Sequence, residues 1–459
     1  MTEDAALTPT GTAGKTGALI RIAAAFSIVA ALLLLTPHSV RAQGYGGPSL
    51  LSRGGNSPGK RGRAPVDFRV YGAVRGSYES GLITAQLTDT GELNSLDIKG
   101  VQVELGAYGA KNWRRSSLGL DYRGDYRKTT FDLYDGSNQA LSLDWQSQIT
   151  NRVSYFLRQT GGTTNRAFGG FSAPAFVDQN NLGVPLNEVY DSRVYFAQTS
   201  AGIAYRQSAR NTLRLSGDGF VIRRTSRALV GMQGYRAGAD FVRQVTRSTL
   251  IGAGYGYLKF EFPRVYGASE IHMVHGILDR RINRNLNLKA QLGVFRADTT
   301  GTQRIVLSPE IAAILGRTTG VEAFQRISLS PQIMISVNYT LERGSFSAAL
   351  NSGVNPGNGV YLTSRADSIS GGYSYAGIRR LSLGLSAGYT RTNSIGLILG
   401  DLTSVQGGGG MTYKLSEYLS LSVQADRRRF TSPAVAGRNG SSISAGLSFA
   451  PGRLPLSIW

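Results

Sequence analysis

The feature that most restricts how this chain can fold is an alternation of apolar and small polar residues that starts near Val66. In Leu381–Tyr389 (LSLGLSAGY), every second residue is Leu, Ala or Tyr, and the residues between them are Ser or Gly. Successive side chains of a β-strand point to opposite faces, so this segment predicts a strand with one apolar face and one small polar face. The same alternation recurs in Val194–Tyr205, Leu286–Val294, Leu419–Ala425 and Ser442–Phe449.

Short turns rich in charged or amide side chains separate the alternating segments. They lie near residues 113, 150, 209, 246, 283, 343, 379 and 416, at spacings of 37, 59, 37, 37, 60, 36 and 37 residues. A near-constant period indicates a repeated unit, here two strands with a tight turn at one end and a longer loop at the other. Eight such hairpins, a first strand at Phe68–Leu82 and a last strand at Ser441–Phe449 predict about 18 strands, within a range of 16–18. An even number places both termini on the turn side.

Short turns, longer loops and an even number of strands are the pattern of outer-membrane barrels. Residues 66–459 therefore resemble bacterial outer-membrane β-barrel proteins of the porin-like kind, although no motif selects one family. The resemblance implies an all-β fold, a transmembrane antiparallel up-and-down barrel of meander topology, in the cell outer membrane of a Gram-negative bacterium. An exported soluble β-helix is the competing interpretation. Aromatic residues near strand ends favour the barrel, because they suit interfacial girdles: Tyr122, Tyr155, Tyr205, Tyr255, Tyr339, Tyr389 and Phe449.

The residues before the barrel divide into two segments. Residues 1–42 predict a signal peptide, with the apolar run Ile22–Leu35 and small residues at Val40 and Ala42 for cleavage. An uncleaved membrane anchor is the alternative, although 14 apolar or small residues are few for a transmembrane helix. Residues 43–65 are rich in Gly, Ser and Pro, carry four positive charges and no acid, and predict a flexible basic periplasmic arm.

The net charge of +21 indicates anionic partners. An export signal makes nucleic acid an improbable partner, and the basic residues are spread along the chain rather than clustered. We expect contacts with outer-membrane lipid and lipopolysaccharide, and with the barrel-assembly machinery during biogenesis. The sequence does not indicate an oligomeric state. It contains no cysteine, so disulfides do not contribute to the fold.

If the apolar face of each strand contacts lipid, residues of the other parity line the lumen. Charged side chains are costly on the lipid face, so their parity is informative. The predicted pore-lining residues are Arg69, Arg75, Asp121, Arg123, Asp125, Arg127, Asp144, Arg158, Arg206, Arg214, Asp218, Arg236, Asp240, Lys289, Asp426 and Arg428. Arginine is in excess, which predicts a water-filled channel that favours anions. A filled interior with internally paired charges is the alternative.

Two of the longer loops, 167–190 and 301–325, contain more apolar residues than solvent-exposed loops usually do. The resemblance to porins implies that such a loop folds into the pore, and a surface for an external partner is the alternative. Within the second loop, Ser308, Pro309 and Glu310 predict the start of a short helix.

Catalysis is not indicated. His272 and His275 fall on opposite faces of a predicted strand, and His272 shares its face with Glu270, which we interpret as a lumen histidine beside a carboxylate. We expect no enzymatic activity, no cofactor and no metal site. The predicted function is a channel for passive diffusion of small, anionic solutes. A structural or accessory barrel linked to polymer export or surface attachment, without transport of its own, is the alternative.

The end of the chain carries the predicted assembly signal. Terminal aromatic residues resemble the signal that the barrel-assembly machinery reads. Apolar alternation holds when counted back from Phe449 but fails when counted back from Trp459, where Arg453, Pro455 and Ser457 interrupt it. The sequence therefore predicts a closing strand that ends at Phe449, followed by a tail with Trp459 as an interface anchor or tag.

Overall fold

The structure, a computed structural model, describes residues 66–87, 93–164, 193–226, 229–355, 362–395, 400–432, 435–451 and 454–456. The predicted signal peptide (1–42), the basic arm (43–65) and Trp459 lie outside the described residues. Within the described ranges, no helix has the length and apolar character needed to cross a bilayer.

Eighteen antiparallel strands form one closed sheet, which confirms the predicted barrel. Each strand pairs with its neighbours in sequence, and β1 pairs with β18 to close the ring. The strands are β1 Val66–Leu87, β2 Leu93–Asn112, β3 Ser116–Thr129, β4 Gly136–Gln148, β5 Val153–Thr164, β6 Val194–Arg206, β7 Asn211–Arg224, β8 Met232–Gln244, β9 Thr249–Glu261, β10 Ala268–Arg281, β11 Leu286–Val306, β12 Thr319–Thr340, β13 Gly344–Asn355, β14 Ser364–Ile378, β15 Leu381–Ser394, β16 Asp401–Lys414, β17 Leu419–Ser432 and β18 Val435–Phe449.

The eight predicted tight turns are the eight connections at one end of the barrel, here called the turn end. Both β1 and β18 have their outer chain ends there, as the even strand number predicted. The first and last strands extend further than predicted at the opposite end, the loop end, reaching Leu87 and starting at Val435. Pairing between β1 and its neighbours continues beyond the apolar alternation, because backbone hydrogen bonds do not require an apolar face.

The outer wall carries the apolar residues of the alternation. In β2, Val101, Val103 and Leu105 are exposed, and in β18, Ile443 and Leu447 are exposed. An apolar exterior over a closed ladder satisfies every backbone group and suits a hydrocarbon environment. The barrel therefore has its apolar side on the outside and its polar side within.

Two hairpins have longer strands than the others toward the loop end: β1–β2, with 22 and 20 residues, and β11–β12, with 21 and 22 residues. β11 and β12 continue their pairing to Val306 and Thr319, and helix α1 (Pro309–Leu315) joins them. Ser308 caps α1 as predicted, and Gly316 ends it in the left-handed conformation. No residue of α1 is buried. The interpretation of 301–325 as a loop folded into the pore is therefore wrong: strand pairing holds the segment in line with the wall. The other long loop, 167–190, lies outside the described residues.

The C-terminal tail differs from the prediction in one respect. After Phe449, the chain forms a short strand, β19 (Leu454–Leu456), which pairs with Val66–Phe68 at the start of β1. Pro455 lies opposite Asp67 in this pairing. Pro455 is tolerated because β19 is an edge segment at the rim, where one missing donor breaks no continuous ladder.

Candidate functional site

The inner wall carries the polar parity of most strands, while on β9 its residues are apolar or glycine. All sixteen predicted pore-lining residues occupy positions that alternate with the exposed apolar ones, so the fold places them on the inner face. Arg75, for example, lies between Val74 and Gly76 and pairs in register with Gln102 of β2. Their contribution to solute passage stays a prediction.

Ion pairs join strands along one side of the inner wall, either adjacent strands or strands separated by one other. Arg127 Nη2 lies 2.8 Å from Glu79 Oε1, with the two side chains 15% and 4% exposed. Arg158 Nη2 lies 2.5 Å from Asp144 Oδ2. These contacts hold the long arginine side chains against the wall. We call the inner faces of β17, β18 and β1–β8 the charged arc, and include in it His275 of β10, which contacts Asp240 of β8, and Gly254 of β9 between them.

Sequence reasoning missed two acids of the charged arc. Glu79 pairs with Arg127, and Glu104 Oε2 lies 3.3 Å from Arg75 Nη2. Tyr71 also donates its hydroxyl to Glu104 Oε1 at 3.3 Å. The signal that could have found them was parity: Glu79 is four residues after Arg75, and Glu104 alternates with Val103 and Leu105. Arg224 of β7, which is buried on the inner face, is a basic residue of the same arc that sequence reasoning also missed.

The charged arc gives way to apolar side chains along one row of paired residues. Asp144, Arg158, Ser200, Asp218 and Arg236 face one another in register across β4–β8. The row then continues with Leu258, Ile271 and Ala297 on β9–β11. Acid and base alternate along the first half, so most of the charge there is balanced between adjacent strands.

A histidine and an aspartate meet over a glycine on this wall. His275 Nε2 of β10 lies 3.3 Å from Asp240 Oδ1 of β8, and Gly254 of β9 lies between their strands. A Cβ at Gly254 would lie 2.1 Å from Asp240 Oδ1 and 2.6 Å from His275 Nε2. The contact therefore requires glycine at this position.

His272 is not a lumen residue. It alternates with the buried inner residues Ile271 and Met273 and lies on the outer face, where its Nδ1 is 2.7 Å from the hydroxyl of Tyr255. Glu270 is also on the outer face and pairs with Lys259 at 2.7 Å. The interpretation of His272 as a lumen histidine beside Glu270 is therefore wrong, because His275 is the inner one.

Three of the predicted inner arginines form no ion pair within 4 Å with any residue that the structure describes. They are Arg206, Arg214 and Arg428. Glu79, Glu104 and Asp144 each have a guanidinium partner, whereas the inner acids Asp125, Asp218 and Asp426 form no ion pair within 4 Å with a described residue. Within the described inner wall, the charges without an ion-pair partner are therefore of both signs.

An apolar cluster covers the inner face of β6–β11 toward the loop end. Its members include Phe220, Ile222, Leu258, Phe260, Ile271, Met273 and Phe295, all buried. Val354, Leu362 and Ile395, which belong to the ends of β13 and to the connections after β13 and β15, pack against it. Chain segments from another part of the wall thus fold inward over this cluster.

Hydroxyl groups fix the inward-folded segment. Ser269 Oγ of β10 lies 2.5 Å from Thr363 Oγ1 and donates to Thr299 Oγ1 at 3.1 Å. The backbone of Thr363 in turn accepts from the amide of Ile395 at 2.8 Å. Ser269 and Thr363 are both buried. The lumen is therefore narrowed on the β9–β11 side by 362–363 and 395.

The remaining wall is uncharged. From Ser328 of β12 to Thr412 of β16, no inner-facing strand residue that the structure describes is ionisable. β14 presents Ser364, Ala366, Ser368, Ser370, Gly372 and Ser374, and β15 presents Ser382, Gly384, Ser386 and Gly388. The charges of these strands, such as Arg365 with Asp367, lie on the outer face. We call the inner faces of β12–β16 the neutral arc.

A pocket opens where the charged arc, the apolar cluster and the neutral arc meet. Its lining combines the guanidinium of Arg236, the amides of Gln291 and Gln332, and apolar side chains that include Leu258 and Phe295. This combination offers charge, hydrogen bonds and apolar contact to a single small molecule.

Such an architecture, with an apolar exterior and a polar interior in a closed 18-strand ring, is that of a porin-like outer-membrane β-barrel. No family model and no curated protein matches the sequence. Solved structures do match. OccK8 (OprE) of Pseudomonas aeruginosa is 13% identical, with 85% of this chain and 98% of that chain covered and a TM-score of 0.40.

Two further solved structures are similar to about the same degree. OccK2 (OpdF) of Pseudomonas aeruginosa, solved in complex with glucuronate, is 11% identical over 84% of this chain and 99% of its own, with a TM-score of 0.44. A BenF-like porin from Pseudomonas fluorescens Pf-5 is 10% identical over 84% and 99%, with a TM-score of 0.43. Identities and scores of this size do not transfer a substrate to this chain.

Proposed function

We propose that this barrel is a passive diffusion channel of the outer membrane for small solutes, with a preference for anions. The observation that carries the proposal is the composition of the inner wall. A barrel of this strand number encloses more space than side chains alone fill, and the neutral arc is built mostly from Ser, Gly and Thr, which project little into it.

The preference for anions rests on the excess of bases among the sixteen predicted pore-lining residues, which are ten bases and six acids, or eight acids when Glu79 and Glu104 are added. Of these bases, Arg206, Arg214 and Arg428 form no ion pair with a described residue. A charge that is not neutralised locally keeps its field in the lumen, where it attracts counter-ions. Paired residues such as Arg127 contribute much less, because Glu79 cancels the charge within 3 Å.

The pocket beside Arg236 supports a class of solute rather than a single one. Leu258, Phe295 and Val354 offer apolar contact next to the guanidinium and two amides. A small organic anion with an apolar part, such as an aromatic or branched carboxylate, would use both kinds of contact.

Planar-bilayer recording of the purified protein tests the proposal. We expect stepwise conductance and, in a salt gradient, a reversal potential that indicates anion preference. The double variant Arg214→Gln with Arg428→Gln is expected to keep the conductance and lose most of the preference. No conductance from correctly folded protein, shown by heat-modifiable migration on a gel, would contradict the channel.

The structural or accessory barrel is kept as a second candidate because of the β11–β12 hairpin. Val306 and Ile314 are each 84% exposed and Val321 is 72% exposed on this extension. Exposed apolar residues beyond the barrel wall suit contact with another molecule at the cell surface. Deleting 305–320 should leave conductance intact if the hairpin serves attachment only.

A further inference from the structure

Arginine occurs in seven of the eight tight turns. The turn residues are Arg114, Arg115, Arg152, Arg210, Arg247, Arg284, Arg343, Arg379 and Arg380, and all nine are exposed. Only two acids, Glu342 and Glu417, occur in the eight turns. In the eighth turn, Lys414 directly precedes the turn residues. We call these nine arginines the turn-end ring.

Repeated backbone geometry holds several members of the ring. Thr150 Oγ1 accepts from the amides of Arg152 at 3.2 Å and Val153 at 3.0 Å. Ser208 Oγ accepts from the amide of Arg210 at 3.2 Å in the same way. Asn283 forms the equivalent turn beside Arg284. Side chains that close a turn onto its own backbone restrict its motion, so the arginines project from fixed points.

The turn between β14 and β15 contains two arginines where smaller residues would be easier to accommodate. Arg380 has φ of 67°, in the left-handed region, and is the one non-glycine residue with positive φ among those that the structure describes. Two-residue hairpin turns of this kind favour Asn-Gly, and a bulky residue there costs on the order of 1 kcal/mol. Arg379 and Arg380 therefore occupy a turn whose backbone does not favour them.

No member of the ring forms an ion pair with a residue that the structure describes. The connections at the loop end have the opposite balance by sequence, with eight acids against five bases. The acids are Asp89, Glu92, Asp132, Asp135, Asp178, Glu188, Asp191 and Glu310, and the bases are Arg166, Arg193, Arg227, Arg264 and Arg317. If the positive charge served solubility alone, we would expect it to be spread over both ends of the barrel, whereas here the turn end is basic and the loop end is acidic.

The ring lies at the depth of lipid head groups. Trp113 and Trp145 stack on the outer face at the turn end, with ring centroids 6.4 Å apart, and both are partly exposed. Lys111 Nζ lies 5.4 Å from the Trp113 ring. Tryptophan marks the membrane interface, and Arg114 and Arg115 directly follow Trp113. The guanidinium groups are therefore one or two residues beyond the interface.

We propose that the turn-end ring binds the phosphate groups of anionic phospholipids in the periplasmic leaflet. The turns of outer-membrane barrels face the periplasm, so the ring meets this leaflet and not the one that holds lipopolysaccharide. Guanidinium groups bind phosphate oxygens through paired, charge-assisted hydrogen bonds. The ring would fix the depth and tilt of the barrel, a role separate from solute passage.

Tryptophan quenching by brominated lipid tests this proposal directly. The chain contains three tryptophans, and Trp459→Phe leaves Trp113 and Trp145 as reporters beside the ring. In vesicles, we expect brominated phosphatidylglycerol to quench more strongly than brominated phosphatidylethanolamine at equal mole fraction. Adding Arg114→Gln and Arg115→Gln should lower the relative binding constant of phosphatidylglycerol about fivefold for each arginine removed.

One control and three further measurements complete the experiment. Arg264→Gln, at the loop end, should leave the preference unchanged. Equal quenching by the two lipids in the Trp459→Phe protein would overturn the proposal, and so would a preference unaffected by the double change. Relief of quenching by millimolar inorganic phosphate at constant ionic strength would also overturn it, since it assigns the ring to a soluble anion. Ring-dependent sedimentation with peptidoglycan, without lipid preference, would assign the ring to a polymer. Conductance is measured separately and is expected to survive every variant.

Discussion

The charged arc and the neutral arc are two parts of one wall built from the same alternating strands, yet they differ in how their side chains fill the lumen. On the charged arc, Glu79 and Arg127 lie in contact across the wall, and Asp240 meets His275 over Gly254. On the neutral arc, a Cβ at Gly384 would meet nothing within 4 Å. One arc is packed by long paired side chains, and the other leaves open space.

The difference indicates how a barrel can constrict and remain open at once. Polar side chains that are bonded to one another, together with the apolar cluster under Thr363 and Ile395, occupy one side of the lumen. In the proposed channel, water and solute would then pass along the side lined by Ser and Gly. Stability should therefore depend mainly on the charged arc, and permeation on both.

Removing one member of the most buried ion pair should have the largest effect. Glu79→Gln leaves Arg127 without its partner in a poorly solvated position, and we expect a loss of about 3 kcal/mol in the free energy of unfolding. Urea unfolding in lipid vesicles, followed by gel mobility, measures it. Glu322→Gln on the exposed hairpin is the control, expected to change stability by less than about 0.5 kcal/mol.

The double variant Glu79→Gln with Arg127→Gln sharpens the same measurement. It should recover part of the loss, because no uncompensated charge is left. Equal stability of the wild-type protein and Glu79→Gln would mean that water screens this pair, and the charged arc would then not be the stabilising one.

A matched pair of glycine substitutions compares the arcs directly. Gly254→Ala should cost about 2 kcal/mol, because the new methyl group displaces Asp240 or His275. Gly384→Ala on the neutral arc should cost nothing measurable, since its Cβ enters open space. Thermal unfolding of the two variants in one detergent gives the comparison, and similar losses would show that the arcs are packed alike.

The inward-folded segment gives a smaller effect. Ser269→Ala removes the hydroxyl contact with Thr363, and a lost hydrogen bond in a buried position costs about 1 kcal/mol. We also expect a larger and noisier single-channel conductance, because 362–363 would move from the wall. Ser345→Ala, which removes an exposed serine contact with Ser374, is the matched control and should change neither quantity.

The smallest expected effect comes from placing a charge on the neutral arc. Ser386→Arg should raise the anion preference of the channel about twofold, since a charge some 8 Å from a passing ion in water is worth about 0.5 kcal/mol. Reversal potentials in a salt gradient measure it, and Ser386→Gln controls for size. A preference that is the same for both variants would show that ions do not pass along this arc.

Local patterns account for what the sequence predicted well. The alternation in Leu381–Tyr389 is a property of neighbouring residues, and so is the turn chemistry around Ser208 and Asn283. Eighteen strands and eight turns follow from such signals alone. The alternation also predicts which face each charged residue occupies. If it had been used for every charged residue, and not only for runs such as DYRGDYR, Glu79 and Glu104 would have been predicted on the inner face.

Contacts between distant segments could not be predicted in this way. Thr363 meets Ser269 across 94 residues, and neither carries a distinctive local pattern. The apolar residues of 301–325 indicated burial, but pairing of β11 with β12 keeps them in line with the wall. His272 was assigned to the wrong face of β10. The residues of this strand are apolar on one face and contact aromatic residues on the other, and such a pattern does not show which face lies outside.

Closure of the ring by β1 and β18 has a consequence for the order of folding. Gly72 pairs with Phe449, so the two strands that complete the barrel come from opposite ends of the sequence. Contacts of such separation form late, because loop closure must precede them. Until the last strand is in place, β1 remains an open edge that could pair with another chain. The short β19 pairs with Val66–Phe68, so it lengthens the pairing between the two ends of the barrel sequence and would stabilise the closed ring.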